Sequence, residues 1–107
     1  MNDGALTVAC RLTAAELQER RRSVLDVVRN AIQETVELKD GFAYRFPSNS
    51  DLIKQLATLV ELERQCCPFL RFRTTVEAAD RPIWLELMGP EGAKEFLVTL
   101  FSYRLPL

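Results

Sequence analysis

Residues Thr35 to Phe46 read TVELKDGFAYRF, and this stretch decides the fold. On both sides of Asp40-Gly41 the residues alternate between apolar and polar, the period of a half-buried strand. An Asp-Gly step favours the tight turn whose twist matches two antiparallel strands. The stretch therefore predicts a β-hairpin. Pro47 stops the second strand because proline has no N–H for the ladder.

Upstream, Leu6 to Leu12 (LTVACRL) alternates as a short strand, with Leu6, Val8, Cys10 and Leu12 on one face. Thr13-Ala14-Ala15-Glu16 has the capping-box pattern, and Leu17, Val24, Leu25 and Val28 continue at helical spacing to about Ala31. The run Glu19-Arg20-Arg21-Arg22 is expected on the solvated face of that helix. Downstream, Ser48-Asn49-Ser50-Asp51 offers N-caps for a second helix from Leu52 to Cys67. A second hairpin follows, from Leu70–Val76 through Ala78–Pro82 to Ile83–Leu87. Gly89-Pro90-Glu91-Gly92 then opens a last helix, Ala93 to about Phe101. That turn lacks the remainder of a GxGxxG or P-loop signature, so simple helix initiation is expected rather than a phosphate cradle.

The resulting order, β-α-β-β-α-β-β-α, predicts an α+β two-layer sandwich with helices on one face of an antiparallel sheet. With 107 residues, 48% of them hydrophobic, the chain fits one domain over residues 1–107. Strand order is not encoded in these local patterns. Fourteen basic and fifteen acidic residues leave a net charge of −1, which supplies no global attraction to nucleic acid or to an anionic membrane. The apolar runs are too short to span a bilayer, and MNDGALTV lacks the basic start and apolar core of a signal peptide. The expectation is a cytoplasmic protein with neither a nucleic-acid nor a membrane partner. Self-association is left open.

The chemistry-bearing residues gather at the end of the second helix, in Glu61 to Phe69 (ELERQCCPF). At helical spacing Leu52, Leu56, Leu59, Val60, Glu63, Cys66 and Cys67 share one broad face, while Glu61 and Gln65 lie opposite. Glu63 thus interrupts an apolar stripe. A buried carboxylate needs a partner, and one explanation is an ion pair with a strand arginine such as Arg45, Arg71 or Arg73, or placement at a partly wet edge. The other is a site, because spacings of i,i+3 and i,i+4 bring Cys66 and Cys67 within side-chain reach of Glu63. Pro68 disfavours helical geometry at Cys67, which should end the helix there.

Three cysteines and no histidine bound the chemistry. An odd cysteine count argues against a disulfide framework and for reduced thiols. The absence of histidine removes the usual partner of a catalytic cysteine. Cys66 and Cys67 sit at the negative end of a helix, above Glu63, which opposes a free thiolate but attracts a cation. Cys66 and Cys67, with Cys10 and Glu63 completing the set, suit a thiophilic metal ion such as Zn(II), Cu(I), Hg(II) or As(III), or a small thiophilic ligand. A conventional zinc knuckle would have CxxC or Cys/His pairs, and a cubane cluster four thiolates. A second reading is a thiol oxidoreductase in which Cys10, beside Arg11, attacks and Cys66 or Cys67 resolves. A third is a structural or partner-binding module whose cysteines pack as small apolar residues, and Phe69, Phe72 and Trp84 are expected to pack with the sheet.

These blocks resemble a family of small, largely uncharacterised bacterial proteins. Its marks are a cysteine before the first helix, an E-R-x-C-C-P-F block and a late I-W-L-E-L-x-G-P-E-G-x-K-E-F-L block. In this chain they are Cys10, Glu63 to Phe69, and Ile83 to Leu97. The resemblance implies that the cysteines and the acidic residue are the notable polar features, and it implies no activity.

Overall fold

The computed structural model describes residues 15–102. In order they form α1 (Ala15–Ala31), β1 (Glu34–Leu38), β2 (Gly41–Phe46), α2 (Ser50–Cys66), β3 (Arg71–Thr75), β4 (Ile83–Met88) and α3 (Ala93–Ser102). The sequence reading anticipated each of these to within two residues; the strand expected at Leu6 to Leu12 lies outside the described residues. Among the described residues, no helix is long and apolar enough to cross a membrane.

The four strands make one antiparallel sheet in the order β1-β2-β4-β3, so the second hairpin lays its last strand against β2. Register aligns Phe42, Tyr44 and Phe46 with Leu87, Leu85 and Ile83, and Phe72 with Leu87. Because side chains alternate across a strand, this set forms one apolar face. It joins Val24, Leu25 and Val28 of α1, Leu52, Leu56, Leu59 and Leu62 of α2, and Leu97, Leu100 and Phe101 of α3 in a single core. Phe69 stacks edge-on against Phe96 at 5.1 Å between centroids. Trp84 is only partly buried, opposite Arg45 and Thr75 on the other face. There Arg73 pairs with Glu86 at 3.3 Å and Arg45 with Glu34 at 3.5 Å.

Two local devices aim α2 at its site. The Asn49 side chain accepts the Leu52 N–H at 3.0 Å and fixes where the helix starts. At the other end Cys67 leaves helical geometry at φ −126°, ψ 76°, as Pro68 requires. Its N–H still donates to the Glu63 carbonyl at 2.6 Å, and its carbonyl accepts the Leu70 N–H at 3.1 Å. The first hairpin depends on Gly41, where a Cβ would lie 1.9 Å from the Leu87 carbonyl oxygen.

Candidate metal centre at the end of the second helix

Glu63, Cys66 and Cys67 are all fully buried, at 0% exposure. One ligand atom from each lies within 4.8 Å of the others, a group that could hold a metal ion. The last turn of α2 presents Glu63 and Cys66 inward together, and the kink before Pro68 keeps Cys67 on the same side. The Cys67 thiol donates to Glu63 Oε1 at 3.4 Å.

The carboxylate has a counterion, though not one of the strand arginines. Arg21 of α1 reaches across with Nε 2.6 Å from Oε2 and a terminal nitrogen 3.3 Å from Oε1. This two-pronged arrangement is the strong form of the arginine–carboxylate pair. Arg45, Arg71 and Arg73 pair instead with Glu34, Asp40 and Glu86. The charged run of α1 is therefore split. Glu19, Arg20 and Arg22 face solvent, and Arg21 turns inward with its side chain 14% exposed.

A sequence signal for Arg21 exists. Positions 17, 21, 24, 25 and 28 follow the helical repeat, so Arg21 falls inside the apolar stripe of α1 just as Glu63 falls inside that of α2. Two inward charges of opposite sign on helices that pack together point to each other. Leu62, absent from the expected stripe, is also buried, whereas Val60 is only partly so. The apolar face of α2 is thus turned slightly from its ideal projection.

The two adjacent cysteines differ in state. Cys67 is a free thiol, and burial first, then the Glu63 charge and hydrogen bond, push its pKa from about 9 up to about 12, against the opposing pull of Arg21. It is therefore protonated at neutral pH and a poor nucleophile. Cys66 is disulfide-bonded. The expectation that all thiols are reduced is thus corrected, since one sulfur of the pair is held in a covalent bond. Cys10 lies outside the described residues.

Next to this centre, a groove of about 360 Å³ is lined by Gln18, Arg21, Arg22, Leu25, Thr99 and Leu100, among others. Of the four side chains Arg21, Glu63, Cys66 and Cys67, only Arg21 reaches solvent. Comparison with protein-family models, characterised proteins and solved structures gave no match, so the functional reading rests on these residues.

Proposed function

We propose that the protein, once reduced, binds a thiophilic metal ion through Cys66 and Cys67, with Glu63 as an oxygen donor and Cys10 as the candidate for a further thiolate. The observation that carries this reading is the convergence of the three buried ligand atoms within 4.8 Å. Metal–sulfur bonds of about 2.3 Å put two thiolates about 3.8 Å apart in a tetrahedral site and about 4.6 Å apart in a linear one. Both spacings fit inside that limit.

Charge decides which ion suits a fully buried site. Arg21 already neutralises Glu63. With Cys66 and Cys67 as its only thiolates, a site loaded with a divalent ion carries no net charge, whereas Cu(I) would leave one uncompensated negative charge. A divalent ion content with few ligands, of the Hg(II) type, needs only the sulfurs. Zinc would also have to draw Glu63 away from Arg21 to complete its coordination. Titration of the reduced protein with Hg(II), Cd(II) and Zn(II), under a competing chelator, should give tight one-to-one binding of the softer ions. Binding that is absent, or unchanged in a folded Cys66→Ser/Cys67→Ser variant, would overturn the reading.

The disulfide at Cys66 favours one other reading, a thiol oxidoreductase in which Cys10 attacks a substrate and Cys66 resolves. The protonated state of Cys67 takes it out of the nucleophile role. This enzyme would reduce or oxidise a disulfide substrate over many turnovers with Cys67→Ala as active as wild type. A metal binder requires Cys67.

A further inference from the structure

A sulfur shared in a disulfide has no thiolate lone pair to give a cation at full charge, and metal coordination by cysteine needs the thiolate. In the structure this applies to Cys66, one of the three donors of the Glu63, Cys66, Cys67 group. Its neighbour Cys67 is a free thiol in the same buried pocket. One donor of the pair is locked and the other is ready. We infer that the centre is redox-gated: oxidation at Cys66 closes it to thiophilic ions, and reduction by a dithiol opens it. This rests on the metal-binding reading above and assigns that same site its regulation.

The chemistry balances with a dithiol as the named reductant. One thiolate of the dithiol attacks the disulfide, giving a mixed disulfide. Its second thiol closes a ring and leaves as the oxidised dithiol. Two electrons and two protons pass to the protein, so Cys66 and its former partner sulfur both become thiols. A divalent ion then displaces the protons of Cys66 and Cys67, forming two metal–sulfur bonds and releasing two protons to solvent. Reoxidation requires the metal to leave, because Cys66 cannot bond a second sulfur while it holds the ion as a thiolate.

The surroundings make the gate effective. In the oxidised form the remaining donors are Cys67 and Glu63, and Glu63 is already engaged by Arg21 and by the Cys67 thiol. One thiol and one committed carboxylate are a poor site for a soft ion. Both donor sulfurs are carried on the last turn of α2 and the residue after it, so one helix end holds them side by side once Cys66 is reduced.

The test is cadmium titration of the oxidised protein and of the dithiothreitol-reduced, desalted protein, followed by the thiolate-to-cadmium ultraviolet band, with circular dichroism confirming that both forms are folded. Reduction should raise affinity by more than about a hundredfold, the upper end of what losing even an outer-shell partner of a metal ligand costs. Cys67→Ser, which leaves the disulfide intact, should bind weakly in both forms. Cys66→Ala should bind weakly whether or not reductant is present. Affinities within threefold of each other in the oxidised and reduced wild type would overturn the gate and leave the metal reading standing. No cadmium band in either form would overturn the metal reading and the gate with it.

Discussion

Arg21→Met is the perturbation that bears most directly on the centre. It removes a guanidinium making two charge-assisted contacts, at 2.6 and 3.3 Å, with a carboxylate that is 0% exposed. Methionine keeps much of the aliphatic stem and abolishes the charge. Breaking a buried pair from one side costs about 3–5 kcal/mol, because the partner is left as an uncompensated charge. Glu63→Gln breaks the same pair from the other side and should cost less, about 1.5–3 kcal/mol, the range for a hydrogen bond to a charged group. The inequality follows from exposure: Arg21 retains 14% access to solvent and Glu63 has none. In urea unfolding, the double variant Arg21→Met/Glu63→Gln should fall short of the summed single costs by about 2–3 kcal/mol, as contacting residues do. Added salt should change this coupling little, since buried pairs are weakly screened. An Arg21→Met cost under about 1 kcal/mol, the range of exposed pairs, would refute the reasoning, as would additivity in the cycle.

Three further outcomes are expected. Because folding raises the Cys67 pKa from about 9 to about 12, the stabilisation from keeping that thiol neutral is complete below pH 9 and lost as pH rises toward 12. Denaturation of wild type and Cys67→Ala should therefore diverge by on the order of 2 kcal/mol between pH 7.5 and pH 10.5, wild type losing more; parallel pH profiles would contradict this. Gly41→Ala forces a methyl into the Leu87 carbonyl and should cost at least about 1–3 kcal/mol, the range for overpacking, with an unchanged melting temperature the contrary result. Leu59→Ala opens a cavity at a 0% exposed position and should lower unfolding free energy by about 2–5 kcal/mol, measured by urea midpoint at constant slope.

The elements were legible because each is written in a local period: alternation around Asp40-Gly41, helical spacing in Leu17 to Val28 and Leu52 to Cys66, and breakers at Pro47, Pro68 and Gly89-Pro90. The order β1-β2-β4-β3 was not, because the pairing of Tyr44 with Leu85 joins residues 41 positions apart and depends on how the two hairpins share one core. Glu63 was legible as a charge in an apolar stripe. Its partner was missed because Arg21 stands in a run of charged residues, where a single inward member is hidden by its exposed neighbours Arg20 and Arg22. The oxidised state of Cys66 was not legible either, since an odd count of cysteines says how many sulfurs exist and not which of them meet.

The Arg21–Glu63 pair also bears on why charges stand in the core at all. Removing two ions from water is costly, and well-packed apolar residues in place of a buried pair are often neutral or stabilising by about 1–4 kcal/mol. The buried faces of α1 and α2 that carry the pair also carry Val24, Leu25, Leu59 and Leu62, so these are faces on which apolar side chains pack. Arg21→Met/Glu63→Leu should therefore be at least as stable as wild type in urea unfolding, the lost acceptor of the Cys67 thiol counting for little because that donor is weak. The same variant should bind Cd(II) more weakly after reduction, since an oxygen donor is gone while both sulfurs remain. Those two results together would separate folding from function at one pair of residues. A double variant destabilised by more than about 2 kcal/mol, a sizeable part of the 5–15 kcal/mol typical of a domain, with cadmium affinity intact would instead make the pair a structural clamp between α1 and α2.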